Sequence, residues 1–203
     1  MDFYIGNIIV YGLERAVKAS GNPMRVKLDT SEPNDKDFLR ASKLGGTRNG
    51  LGHDNYLKGI TVHMDIVAPL FWWKEAQRYH WFDFVSSEST MHCLLKFDIA
   101  SQCVPDTDPV ILQRMNELRE AYNQVPEEDL EEKKRLWRIL VASLPSGFCL
   151  GATMVTNYQQ LKTMYIQRHN HKLQEWHVFC EALEKMPRFL ELTGVDKLVG
   201  KAE

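Results

Sequence analysis

Apolar and polar positions alternate from Ile60 to Val67 (Ile-Thr-Val-His-Met-Asp-Ile-Val), the period of a half-buried strand. Asn7 to Tyr11 predicts a short buried strand, and Gly12 to Ala19 a helix closed by Gly21-Asn22-Pro23. Asp37 to Leu44 predicts a short helix ended by Gly45-Gly46, and the turn residues of Thr47–Asp54 predict a loop. Pro69 fits the first turn of a helix running to Arg78 or Tyr79. Asp106 or Asp108 is placed to cap a helix from Pro109 to Tyr122. A second helix, Glu127 to Ser143, carries the apolar stripe Leu130, Leu136, Ile139 and Leu140. Together these two read as a helical hairpin inserted at about 109–143. Phe148 to Val155 is a small-residue segment leading into a helix from Asn157 to Arg168, and a last helix, Leu173 to Lys185, stops at Pro187. The pattern predicts an α+β fold, with about six helices around a modest sheet in one domain spanning residues 1–203.

Composition narrows the function classes. Twenty-five basic residues against twenty-seven acidic ones create no field that would draw in nucleic acid or a membrane surface. No apolar run approaches the ~20 residues of a membrane span, and the N-terminus has no basic region leading into an apolar core, so no signal peptide is expected. Cys93, Cys103, Cys149 and Cys180 have no close-pair spacing of the kind zinc or redox sites use, and reduced thiols in a cytoplasmic protein are the expectation.

The chain has no dinucleotide-binding glycine motif, no Walker loop and no nucleophile elbow. Candidate chemistry gathers in Phe71 to His92, where Arg78, His80, Glu88, Ser89, Thr90 and His92 stand among aromatic rings. Such a segment either lines a pocket for phosphate or a heterocycle, or is an aromatic-rich helix running into a buried strand. His169, His171 and His177 lie close in sequence, but no carboxylate sits at a helical spacing suited to a metal; solvated histidines beside a helix start account for them better. Asn157, Leu161, Met164 and Arg168 share one helical face ending in a guanidinium suited to phosphate or carboxylate. Leu161 and Met164 on that face read as core. Gln159 and Gln160 are neutral groups able to read a base or amide edge, or simply exposed.

The run His53-Asp-Asn-Tyr-Leu-Lys-Gly-Ile-Thr-Val-His-Met-Asp-Ile-Val-Ala-Pro-Leu-Phe71, followed by Lys74, Glu75 and Arg78, resembles the front half of the flavin-dependent (alternative) thymidylate synthases. Leu144-Pro-Ser-Gly147, the Asn157–Leu161 helix start, Arg168 and Gln174 follow in the family's order, at near its spacing. The family's Arg-His-Arg motif corresponds to Arg78-Tyr79-His80 here. Its Asn-Glu-x-Ser-x-Arg-Tyr block corresponds to Ser87-Glu88-Ser89-Thr90-Met91-His92-Cys93, with about two residues inserted before it. A family His falls at Gly59, one family Arg at Gln159, and a late Arg near His177 or Val178.

The resemblance implies that fold, FAD as cofactor, and NADPH and methylene-tetrahydrofolate as co-substrates. It also implies reductive methylation of a pyrimidine nucleotide (uridylate or a related substrate) by a homotetramer. It assigns Arg78, His80, Glu88 and Arg168 to the cofactor, and Thr90, His92 and His177 to the reacting side. Glu75 and Gln159 fall to the substrate, and no metal is implied. Replacing fixed arginine forks by His or Gln costs about 1.5–3 kcal/mol for each charge-assisted bond lost. The ligand therefore differs from the family's, or the fold persists as a non-catalytic flavin- or nucleotide-binding protein. An unrelated helical adaptor is the third possibility.

Overall fold

A computed structural model describes residues 1–199. In chain order its elements are β1 (Tyr4–Tyr11), α1 (Leu13–Ala19), α2 (Asp35–Gly45), β2 (Thr61–Pro69), α3 (Leu70–Ala76), β3 (Asp83–Ser87), α4 (Thr90–Cys93), α5 (Pro109–Gln124) and α6 (Leu130–Ser143). Then come β4 (Cys149–Asn157), α7 (Tyr158–Arg168), α8 (Gln174–Glu184), α9 (Phe189–Thr193) and α10 (Val195–Val199). The four strands form one antiparallel sheet in the order β1-β2-β4-β3. The fold class is α+β, as the pattern predicts.

Several expectations are corrected. β1 begins at Tyr4 and is not buried: it is an edge strand, and Ile9 is 51% exposed. The aromatic segment does not run as a helix into a buried strand. α3 stops at Ala76, and β3, on the other sheet edge, is exposed at every position. Pro69 ends β2 instead of opening the helix. A strand's last residue tolerates proline because no ladder donor is needed there. The segment Phe148 to Val155 is a strand whose residues alternate between buried and half-buried through its second half. Three short helices, α4, α9 and α10, carry no periodic signal long enough to predict.

The chain divides into two compact units. One comprises Met1–Tyr4, Ile66–Ala76 and Ser86–Ala152; the other comprises Ile5–Asp65, Gln77–Val85 and the chain from Thr153 onward. The first unit has its core in the α5–α6 hairpin, where Met115, Leu118, Leu136 and Leu140 pack with Leu94, Ile99, Cys103 and Phe148. Asp108, not Asp106, caps α5 by accepting from the Val110 N–H at 2.8 Å. Asp129 caps α6, which starts later than its acidic lead-in suggests because Glu127 and Glu128 precede the cap.

The second unit packs α7, α8 and α9 through fully buried Tyr158, Leu161, Met164, Trp176, Phe179 and Phe189. Asn34 and Asp37 form a reciprocal capping box, so α2 starts two residues before the predicted Asp37. Asp37 also meets Arg40 at 2.7 Å and the buried Lys18 at 3.1 Å, and Lys18 reaches Asp29 at 2.8 Å. The Asn34 N–H, then Arg40 and Lys18, hold the Asp37 carboxyl down at about 2, and the hydrogen bonds Lys18 donates to Asp29 and Asp37 raise its ammonium. A depressed carboxylate stabilises fully above its ordinary range and loses that contribution as pH falls through its folded value; a raised ammonium loses its contribution only on the alkaline side. This network is therefore complete between about pH 4 and 10. Asp37→Asn is expected to lower stability at pH 7 and to flatten the decline from about pH 4 to 2, as measured by urea unfolding across that range. An unchanged acid limb would contradict this account.

Candidate functional site

In the second unit the start of α7 and the glycine-rich loop before β2 enclose a cavity of about 340 Å³. Asn157 fixes the start of the helix behind the wall: its side chain accepts from the Gln160 N–H at 3.0 Å and caps α7. Gln159, Gln160 and Thr163 project from the first turns of α7 onto the cavity. Asn49, Gly50, Gly52 and Asp54 supply the loop side, with Lys58 beyond them. Trp81 closes another side with a half-exposed indole, and its carbonyl accepts from the Thr156 hydroxyl at 2.6 Å.

A buried lysine holds the loop in place. Lys162, fully buried on α7, donates to the Gly45 carbonyl at 2.7 Å, the Thr47 carbonyl at 2.6 Å and the Asp54 carboxylate at 2.8 Å. Its three N–H groups are thus all used. The other Asp54 oxygen accepts from the Gln159 amide at 3.0 Å. Lys162 and Asp54 were not candidates in the sequence, although Lys162 stands inside the buried stripe Tyr158, Leu161 and Tyr165, where a lysine needs a partner.

Of the residues the resemblance singles out, Arg78, His80, Gln159, Arg168 and His177 belong to this unit, while Glu75, Glu88, Thr90 and His92 belong to the other. Gln159 is the one that lines the cavity. Arg78 is exposed and forms no ion pair with any described residue. His80 is exposed, with its ring edge-on to Trp81 at 4.6 Å. Arg168 donates to the Tyr79 hydroxyl at 2.9 Å, and its guanidinium lies 4.7 Å from the Trp176 ring centroid. Tyr79 in turn donates to Gln167 at 2.9 Å, so the tyrosine standing where the family has histidine fastens the Arg78–His80 turn to α7. His177 donates from Nε2 to the His171 carbonyl at 2.6 Å, which fixes its tautomer.

In the first unit Glu88 accepts from the Gly151 N–H at 2.6 Å and donates its own N–H to the Gly151 carbonyl at 2.9 Å. A side chain at position 151 would begin 3.3 Å from that carboxylate, so the glycine leaves Glu88 its place against β4. Ser89 caps α4, leaving Thr90 half-buried and His92 exposed on it, and Glu75 is half-buried on α3. Among the described residues no three His, Cys, Asp or Glu side chains form a group able to hold a metal ion, and no helix is long and apolar enough to cross a membrane. Burial pushes the Cys180 thiol up to about 12 and raises Cys103 as well, which makes both poor nucleophiles.

The fold is that of the flavin-dependent thymidylate synthases. A crystal structure of ThyX from Helicobacter pylori with FAD and dUMP superposes with a TM-score of 0.70 at 13% identity, covering 98% of this chain and 99% of that one. A second structure of the same enzyme with FAD and dUMP gives 0.68 at 13% identity, over 95% and 97% of the two chains. The UMP/dUMP methylase PolB from Streptomyces cacaoi, bound with 5-Br dUMP, gives 0.62 at 13% identity, over 99% and 95%. No protein-family model matches the sequence, and no curated protein matches it at a significant level.

Proposed function

We propose that the chain is a divergent flavin-dependent thymidylate synthase-like protein that binds a flavin and a pyrimidine nucleotide, uridylate or a related one, and carries out its flavin-assisted reductive methylation. The cavity beside α7 carries this reading. Its wall is built from Trp81, directly after Arg78–His80, and from the start of α7, the two stretches that bear the resemblance.

The residues present fit a flavin nucleotide. Arg78 is a cation uncommitted to any described residue, Trp81 offers a ring face, and the amide of Asn49 offers a polar edge. The cavity volume lies at the lower end of the ~300–1,000 Å³ range of small-molecule sites, enough for one ring system. Arg78, His80, Glu88 and Arg168 would hold the cofactor, which supplies a hydride when bound, with NADPH and methylene-tetrahydrofolate as co-substrates. Glu75 and Gln159 would bind the nucleotide, with Thr90, His92 and His177 on its reacting side. By the same resemblance the assembly is a homotetramer.

One observation favours the non-catalytic reading. Gln159 and His177 stand near positions where the resemblance places arginines, and both spend a hydrogen bond within the protein, on Asp54 and the His171 carbonyl. Neither brings a fixed charge to a nucleotide.

Titration of FMN into the protein, followed by flavin fluorescence, tests the proposal. Arg78→Ala is expected to weaken binding by at least about tenfold, the equivalent of one charge-assisted contact. Binding unaffected by that change refutes the Arg78 assignment. Uridylate-dependent reoxidation of the reduced, bound flavin is expected of the enzyme; no response to uridylate leaves the binding protein.

A further inference from the structure

Four carboxamides line the cavity, those of Asn49, Asn55, Gln159 and Gln160. Asn49 donates to the Thr163 hydroxyl at 2.9 Å, and Gln159 donates to the Asp54 carboxylate at 3.0 Å. Asn55 is exposed to solvent. Gln160 differs from all three. It is only 7% exposed, and its side chain lines the cavity without a hydrogen bond to any described residue. Its main-chain N–H alone is engaged, by the Asn157 cap. Withdrawing a carboxamide from water without giving it a partner is costly. A side chain so buried, unpaired and placed on an open cavity marks where the polar edge of a ligand belongs.

A carboxamide presents an acceptor and a donor side by side. That pair matches a ring N–H standing next to a ring carbonyl: Oε1 accepts from the N–H while Nε2 donates to the carbonyl oxygen. The Lys58 ammonium, the Asn55 amide and the Trp81 indole N–H add donors on the same cavity, so the surroundings suit an edge richer in carbonyls than in N–H groups. A cyclic imide, one N–H between two carbonyls, is such an edge. We propose that Gln160 is the specificity-determining residue of this cavity and reads the imide edge of its ligand, the N3–H and an adjacent carbonyl. The uracil ring and the pyrimidine ring of a flavin share this edge. The half-exposed Trp81 indole would cover the face of the same ring. Gln160 takes this role only if the cavity is the flavin or nucleotide site proposed above.

Calorimetric titration of the full chain tests this with two pairs of probes. They are FMN against N3-methyl-FMN, and uridine 5′-monophosphate against its N3-methyl derivative; in each pair a methyl group blocks the imide edge and nothing else changes. The unmethylated member of at least one pair is expected to bind about tenfold tighter, and the pair that discriminates identifies the ring. Gln160→Met keeps the length of the side chain and removes the amide. In that variant the preference is expected to shrink to below about threefold, because the unmethylated member loses affinity. A preference that survives Gln160→Met overturns the assignment to Gln160. Equal affinity within both pairs in the wild-type protein overturns the inference without recourse to any variant, and leaves the cavity standing as a binding site. Failure of all four probes to bind overturns the site and the inference together.

Discussion

Lys162→Met is expected to lower the unfolding free energy by about 3–5 kcal/mol, the usual cost of stranding one partner of a buried ion pair. Asp54 would be left 1% exposed with a charge opposed by nothing, and the Gly45 and Thr47 carbonyls would each lose a donor. The same anchor holds the loop that forms one side of the cavity, so the amides of residues 47–54 should exchange with solvent much faster in the variant. Lys162→Met/Asp54→Leu should recover a large part of the loss, because an apolar pair of similar volume often replaces a buried ion pair at little cost. Denaturant unfolding with hydrogen exchange checks both. A loss below about 1 kcal/mol, in the range of a surface pair, would mean the pair is solvated and the loop is held otherwise.

Gly45→Ala is expected to cost at least about 3 kcal/mol, at or beyond the upper end of ordinary overpacking. A Cβ at this position would lie 1.7 Å from the Leu192 carbonyl oxygen and 2.8 Å from the Tyr56 hydroxyl. Neither neighbour is free to yield: the Tyr56 hydroxyl bonds the carbonyls of both Ala41 and Leu192, at 2.8 and 3.0 Å, tying α2 to α9. Gly46→Ala is the control, since its Cβ would approach the Ser42 carbonyl only to 3.3 Å at an ordinary backbone angle. Thermal unfolding should separate the two variants clearly. Similar melting temperatures would contradict the close α2–α9 approach.

Residues 45–54 also show what the sequence could and could not convey. Gly45-Gly46 reads locally as a helix stop, which is correct, yet the stronger reason for glycine there is a backbone from residue 192, far along the chain. Asp54 and Lys162 are 108 residues apart, and nothing local to either reports the other. The cap at Asp108 was legible as one of two candidates because a cap is an interaction within three residues, whereas Asn34 and Asn157 were not read as caps. The exposed strand β3 was not legible. Its aromatic and branched residues suit a buried strand, and only its place at the sheet edge leaves them in solvent.

The candidate site residues came from resemblance more than from pattern, and the cavity takes Gln159 from among them. Gln159 was a candidate and lies on the cavity, and its tie to Asp54 gives it a defined orientation. Tyr79, which looks like a mere loss of the family's histidine, pairs with Arg168. Trp81 lay within the segment singled out for its chemistry, but no rule of spacing separates an indole on a cavity wall from one in the core, such as Trp72 a few residues earlier.

A flavin-binding site on the cavity walled by Trp81 and α7 is the proposal on which the others depend. Titrating the purified protein with FAD and following quenching of flavin fluorescence tests it most directly. Saturable quenching is expected in the wild-type protein, with Trp81→Ala weakening it by about tenfold for the loss of one stacked ring. Absence of any saturable change with the folded wild-type protein would contradict it.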